Sequence, residues 1–307
     1  MELRASFPLP GMELEEAREL PALELMLRLP RELDAVWSGL GGPPQWRGRL
    51  GDGLDLTIER GAAGSLMFVY GERARFLLDP DKQRLDCAPN QPGLDWQRAL
   101  IGKVLPAISV MRGYEALHAA AVDSPEGVVA IMAPSGAGKS TLAIELLGRN
   151  QPLFTDDVLT LERTGGGVLA HPGTPHMNIA EQHAGCGDPE ALGSTLGVLT
   201  GERWLAAHKS AKHTRPVRLL CLLERGPGLP LATHVLVPNP LTLTPYMLGL
   251  STDAKRARSR FHLFADLLGS ATLVRLTAGP EHRPGQLADA LEQALARDPE
   301  LIGGAIA

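Results

Sequence analysis

The sequence is short of cysteine, aromatic residues, basic excess and long apolar runs, and each shortage removes a class of protein. The three cysteines among 307 residues, Cys87, Cys186 and Cys221, form no CxxC pair, and their number is odd. A disulfide framework is therefore not expected, and a reduced, cytoplasmic compartment is. Aromatic residues make up only 4% of the chain, too few for the stacking platforms that hold single-stranded nucleic acid. Thirty Lys and Arg residues face 35 Asp and Glu, for a net charge of −5. A protein that grips duplex phosphates is ordinarily basic, so no nucleic-acid partner is expected. The apolar runs are too short and too interrupted by charge to span a bilayer. The opening stretch MELRASFPLPGMELEEAREL carries acids where a signal peptide needs an apolar core. Neither a membrane partner nor export is expected.

What is present is an ordinary globular composition, 44% apolar and 21% charged. It is enough for one large or two modest domains that need no disulfides. The first part reads as short strands: 23–29, 55–60, a hairpin over 65–78 turning at Gly71 and Glu72, and 84–88. The stretch 37–46, rich in Gly and Pro, reads as loop. After the break at 87–93, residues 94–113 have helical apolar spacing with a kink expected at Pro106. Strands and helices then alternate. Strands are expected at 116–122, 127–133, 152–155, 158–162, 217–224 and 272–278. Helices are expected at 142–148, 241–250, 253–269 and 285–296. This pattern implies an α/β core. The expected division is a strand-rich N-terminal module, 1–93, and an α/β domain, 94–307.

The strongest signal is GVVAIMAPSGAGKSTLAIELL. An apolar strand ends at Ala133, and Pro134, Ser135, Gly136, Ala137 and Gly138 lead into Lys139, Ser140, Thr141 and a helix. This is a phosphate loop of the form AxxxxGKS. Small residues let backbone N–H groups wrap phosphates, and the new helix N-terminus adds its dipole. Lys139 reaches the β and γ oxygens, and Ser140 Oγ can ligate Mg²⁺. Pro134 has no N–H, so its position must face away from the phosphates. ATP and Mg²⁺ are the expected cofactors, although no motif chooses between ATP and GTP.

Asp156 and Asp157 follow a short apolar strand in PLFTDDVLT. A strand end in such a sheet opens onto the ligand crevice. One carboxylate would hold Mg²⁺, with Ser140 and Asp157 as the expected metal ligands. The other would accept the proton of an attacking hydroxyl. Both acids are reachable as base. Without a phosphate loop nearby, the same pair would read as a turn whose Asp residues cap N–H groups.

The segments ALHAAAV, GVVAIMAPSGAGKSTLA, PLFTDDVLTL and VLAHPGTP resemble the HPr kinase/phosphorylase-like kinases. They are most similar to the shorter HPr-kinase-related proteins, some of which phosphorylate a serine on peptide precursors such as lasso peptides. The resemblance is strong over about 115–175 and weak elsewhere. It implies an α/β fold with a phosphoenolpyruvate-carboxykinase-like P-loop kinase core. His118 matches the family histidine on the strand before the loop and is a candidate catalytic residue, with Lys139, Asp156 and Asp157. His171, Pro172 and Gly173 match an HPG segment of the related kinases. The chain departs from the bifunctional enzymes at Thr141, where they carry Glu, and at 222–228, which only echoes their phosphorylase signature. Both departures point away from the reverse reaction and from HPr as substrate.

The expected activity is transfer of the γ-phosphoryl group to a hydroxyl, serine of a peptide or protein. A small-molecule hydroxyl kinase and a nucleotide-gated NTPase switch are the alternatives. The related enzymes often assemble as oligomers, so a homo-oligomer is among the expected partners. Strand addition to the N-terminal module would recognise substrate. Weaker features read as scaffold first. His171, His176, His183 and Cys186 fit no zinc spacing. Arg203, Lys209 and Lys212 read as a solvated basic loop, or else a mobile lid. Lys255, Arg256, Arg258 and Arg260 read as a solvated helix start. Glu224 and Arg225 end a buried strand and read equally as a solvated pair or as site residues.

Overall fold

The computed structural model describes residues 2–12, 22–40, 46–49, 56–61, 64–81, 83–180, 189–199, 201–248 and 254–302. The chain divides into two units, Met1–Gly113 and Tyr114–Ala307.

In the first unit the strands are β1 (Glu2–Ala5), β2 (Ala22–Leu27), β3 (Trp46–Arg49), β4 (Leu56–Arg60), β5 (Leu66–Tyr70), β6 (Ala74–Leu78) and β7 (Arg84–Pro89). They form one sheet in the order β1-β2-β7-β6-β5-β4-β3. Alternation sorts the side chains. Met67, Leu77 and Ala88 pack against Leu33, Trp37 and Leu40 of helix α1 (Pro30–Gly39) and its end. Phe68, Phe76, Leu85 and Cys87, on the opposite face, are buried as well. The segment expected as loop from residue 37 is therefore helix up to Gly39. Pro30 in the first turn is compatible with helix, and the Glu32 carboxylate accepts the Leu29 N–H at 3.1 Å. Residues 41–45 lie outside the described residues.

Helix α2 (Asp95–Ala99), a π-helical turn (Leu100–Val104) and α3 (Leu105–Met111) complete this unit. The widened turn precedes Pro106, which sits in the first turn of α3. Its missing N–H is accommodated there without breaking the helix. These helices belong with the N-terminal sheet: the Trp96 ring meets Phe7 at 5.3 Å, and Gln97 Nε2 donates to Pro8 O at 3.0 Å. The division thus falls after Gly113, later than the expected 93/94.

In the second unit the elements run β8 (Glu115–His118), β9 (Ala120–Ser124), β10 (Gly127–Met132), α4 (Lys139–Gly148), β11 (Leu153–Thr155), β12 (Val158–Thr164) and β13 (Gly167–His171). They continue with β14 (His176–Ala180), α5 (Pro189–Leu192), β15 (Gly193–Leu199), β16 (Glu202–Ala207), β17 (Arg215–Arg225), β18 (Ala232–Val235), α6 (Ala254–Ser270), β19 (Thr272–Ala278) and α7 (Pro284–Ile302). The architecture is mixed α/β. The main sheet has the order β11-β9-β10-β17-β13-β12-β8, with β19 and then β18 also joined to β17. A separate three-stranded sheet has the order β14-β16-β15. The expected single strand over 116–122 is two strands. Ala119 carries the chain from β8, which pairs with β12, to β9, which pairs with β10.

Strand direction places the site. β10, β17 and β19 are parallel. β9 lies antiparallel between β10 and β11, so β11 runs the same way as β10. The carboxyl ends of β10 and β11 therefore open onto one edge. Both faces of the sheet are covered. Val129, Ile131, Leu219 and Val274 pack with α4 and α7. Ala130, Met132, Leu222 and Leu273 pack with α6. Double burial explains why β10 reads as an unbroken apolar run. Each of the buried Val, Ile, Leu and Met side chains contributes about 1.5–3 kcal/mol.

The expected helix over 241–250 is a 3₁₀ helix, Pro240–Tyr246, and 249–250 lie outside the described residues. Arg203 lies on β16, whose Trp204 and Leu205 are buried, so this stretch is sheet and not a lid. Lys209 donates to Asn150 Oδ1, and its carbonyl accepts the Leu153 N–H at 2.9 Å. The cations of α6 also differ from a solvated helix start. Arg260, 6% exposed, bonds Glu115 at 2.8 Å, and Arg256 bonds Tyr114 O at 2.7 Å. They stand four residues apart on one helix face. Lys255 and Arg258 are exposed. Cys87 and Cys221 are buried and burial pushes both thiols up, Cys221 to about 12, so neither is a ready nucleophile. Among the described residues no helix is long and apolar enough to cross a membrane.

Candidate functional site

The loop between β10 and α4 is shaped by two glycines. Gly136 has φ +78° and Gly138 φ +101°, left-handed values that L side chains seldom adopt. The Ala137 N–H closes a turn onto Pro134 O at 3.2 Å, and Gly138 O accepts the first helical bond, from Leu142 N–H at 3.0 Å. The N–H groups of the first turn of α4 have no intrahelical acceptor, so they remain as a positive helix end. Pro134, Ser135 and Gly136 are exposed, Ala137, Gly138, Ser140 and Thr141 are half-buried, and Lys139 is 7% exposed.

The acid pair meets this helix start. Ser140 Oγ donates to Asp156 Oδ1 at 3.0 Å. The other oxygen, Oδ2, accepts the Asn178 N–H at 2.9 Å. That bond exists because β14, which among the described residues pairs with β16 alone, turns its other edge to the acids. Asn178 Nδ2 reaches Asp157 Oδ2 at 3.4 Å, a long contact, and Asn178 Oδ1 is buried with no hydrogen-bond partner among the described residues. Asp157 has φ +71°, which costs a non-glycine residue about 1 kcal/mol. The turn is held by Val158 N–H to Asp156 O at 3.0 Å and Thr155 Oγ1 to Val158 O at 2.8 Å.

His118 lies beneath this turn. Its Nδ1 is 3.0 Å from Asp157 O. A carbonyl only accepts, so Nδ1 carries the proton. The Ala119 N–H donates to the same carbonyl at 3.1 Å. His118 therefore grips the backbone of Asp157 through Nδ1. Gly173 of the HPG segment packs on the turn from the other side. A Cβ there would lie 2.3 Å from Thr155 Oγ1, and its N–H donates to Phe154 O at 2.8 Å. His171 faces away, paired through Nε2 with Glu162 at 2.8 Å.

Burial pushes the Asp156 carboxyl up to about 7, with the Asp157 charge adding to it. The bonds from Asn178 and Ser140, and the charge of Lys139, pull the other way and are outweighed. A group ionising near neutrality suits proton exchange at working pH.

The loop also borders a cleft of about 1120 Å³. Pro134–Gly138 and Thr141 form one wall, and the end of β17 with Pro280–Pro284 forms another. Glu224 and Arg225 both line it. Arg225 Nη2 donates to Gly279 O at 2.9 Å and His282 O at 3.0 Å, which ties the segment before α7 to β17.

Among the described residues no three His, Cys, Asp or Glu side chains converge as a metal cluster. His176 is buried and stacked on Trp204 at 4.9 Å, while His183 and Cys186 lie outside the described residues. Ser140, Asp156, Asp157 and Asn178 Oδ1 nevertheless form an all-oxygen set, and Oδ1 accepts no hydrogen bond among the described residues. Mg²⁺ takes oxygen donors from one or two carboxylates and completes its shell with phosphate and water, so these residues fit it. Sequence reasoning missed Asn178. The only signal was an amide side chain inside a strand, where Asn is disfavoured.

No family model matches the chain, and no curated protein matches it. Among solved structures it is similar to the Hpr(Ser) kinase/phosphatase from Coxiella burnetii, at 13% identity over 61% of this chain and 96% of that chain, with a TM-score of 0.30. Likeness at that level fixes neither fold nor activity.

Proposed function

We propose that the chain is an ATP-dependent phosphotransferase that moves the γ-phosphoryl group to a hydroxyl. The acceptor favoured by the sequence resemblance is serine of a peptide or protein. The observation that carries the reading is the bonded array Ser140–Asp156–Asn178–Asp157 at the head of the helix that begins at the phosphate loop.

Backbone N–H groups of Gly136, Gly138, Lys139 and Ser140 and the Lys139 ammonium would hold the β and γ phosphates. Ser140 directs its proton to Asp156, which leaves its lone pairs for a cation. Asp157, Ser140 and Asn178 Oδ1 would hold Mg²⁺. Bound there, Mg²⁺ would neutralise charge on the phosphate oxygens. Asp156 would take the proton of the acceptor hydroxyl as its oxygen bonds to phosphorus and the bond to the β-phosphate oxygen breaks, releasing ADP. Each Asp156 oxygen accepts one bond and retains a second lone pair for that proton. His118 would act by holding the Asp157 carbonyl, which makes it a positioning residue.

The test is the fate of γ-labelled phosphate with Mg²⁺, with and without a library of serine-containing peptides. Label entering peptide supports the reading, as would little free phosphate in the absence of acceptor. Rapid release of free phosphate regardless of acceptor would replace it with the NTPase switch. Label entering only small hydroxyl compounds would move the acceptor class.

A further inference from the structure

We infer that the acceptor is held as an extended peptide strand, added to the edge of β14 that meets the acid pair. This rests on the phosphotransferase reading and names how its acceptor is bound. The pairing of β14 with β16 decides which backbone groups are on offer. In an antiparallel pair, alternate residues exchange hydrogen bonds, and those between turn their N–H and C=O to the other edge. Pro175 O accepts the Ala207 N–H at 2.7 Å. The register Met177↔Leu205 and Ile179↔Arg203 continues that bonded set at every second residue. Asn178 and Ala180 therefore present their backbone groups away from β16. The Asn178 N–H agrees with this phase, since it donates to Asp156 Oδ2 at 2.9 Å.

Asp156 thus occupies the edge at the Asn178 N–H. Immediately beyond it, neither Asn178 O nor the Ala180 N–H makes a hydrogen bond among the described residues. Both residues are half-buried, not sealed. An acceptor on one residue and a donor two residues later are the pair that a single residue of a parallel strand satisfies, with its own N–H and C=O. That peptide residue would stand beside Ile179. A strand rises about 3.3 Å per residue, so the peptide residue one or two places before it comes level with Asp156. A serine there brings its hydroxyl to the carboxyl group that takes the proton in the proposed transfer. Main-chain hydrogen bonds of this kind hold a peptide whatever its side chains. A small hydroxyl compound without an amide has nothing to place there. The strand addition expected at the N-terminal module is thereby moved to the acid pair.

The experiment uses the full chain, Mg²⁺-ATP and a short single-serine peptide drawn from the labelled library, together with versions of that peptide N-methylated at one backbone amide at a time. Methylation of one amide, one or two residues after the serine, is expected to raise KM about five- to tenfold, with kcat held within about twofold. The next amide should tolerate the methyl group, because it faces away from β14. Ala180→Pro removes the outward N–H and spares the β14–β16 bonds, which run through Met177 and Ile179. It should raise the peptide KM by a similar factor and leave Mg²⁺-ATP affinity unchanged, while Ala180→Ser, which keeps the N–H, should match wild type. Should Ala180→Pro fail to fold, the methylation series on wild type decides alone. Labelling that tolerates methylation at every amide after the serine would overturn the inference and leave the phosphotransferase reading intact. So would a folded Ala180→Pro variant with the wild-type peptide KM. Absence of label in any peptide with wild type would overturn the serine-acceptor reading and the inference with it.

Discussion

Replacing Asp156 with Asn should stabilise the protein at alkaline pH and do little at acidic pH. At ~1.4 kcal/mol per pH unit, the rise from 3.8 to about 7 makes the ionised carboxyl about 4 kcal/mol worse in the folded chain than in the unfolded one. The group is half-buried, not sealed, and solvent screening brings the figure to about 2 kcal/mol. An amide keeps both bonds, since its oxygen can accept the Asn178 N–H and its NH₂ can donate to Ser140 Oγ. Between the two values the folded state binds more protons than the unfolded state, so wild-type stability is full below about pH 4 and falls as pH rises through about 7. Urea unfolding of both proteins between about pH 5 and pH 8 reads this directly. The variant should gain about 2 kcal/mol on wild type by the upper end. Parallel stability profiles would refute the burial argument, and so would a wild type that gains on the variant as pH rises.

Three further changes probe the scaffold and the metal. Gly173→Ala would push a Cβ into Thr155, so it should cost about 1–3 kcal/mol in denaturant midpoint and lower turnover through the displaced turn. Arg260→Met removes one of the two arginines that pair with the buried Glu115 carboxylate, leaving Arg256 at 3.3 Å, and should cost about 1.5–3 kcal/mol in thermal or urea unfolding. The double change with Glu115→Gln should recover much of that. Asp157→Asn keeps a residue that tolerates φ +71°, so stability should hold within about 0.5 kcal/mol. Mg²⁺ titration of its nucleotide complex should shift about tenfold or more to higher concentration.

Much of the site was legible because its signals are local. The spacing of Gly136, Gly138, Lys139 and Ser140 after an apolar run, and two acids after a short strand, are readable without a partner. The elements that failed are set by distant pairing. Nothing local at Ala119 announces that β8 and β9 leave for different neighbours. Asn178 matters only because β14 leaves one edge unpaired beside the acids. The polar look of 201–212 concealed β16, whose Trp204 packs inward. Helix α1 was readable in principle from Pro30, Glu32 and the spacing of Leu33 and Trp37, but the Gly-rich residues after it dominated the reading. Arg256 and Arg260 looked like surface charge because Glu115, their partner, is far away in sequence.

The most direct measurement is label transfer from γ-labelled ATP to a serine-peptide library by wild type, Asp156→Asn and Asp157→Asn, with nucleotide binding measured alongside. Transfer by wild type should fall by about 100-fold or more in Asp156→Asn, while its Mg²⁺-ATP affinity stays within about threefold. Transfer that survives Asp156→Asn at the wild-type rate would contradict the assignment of Asp156 as proton acceptor, and with it the role read from the bonded array at the head of α4.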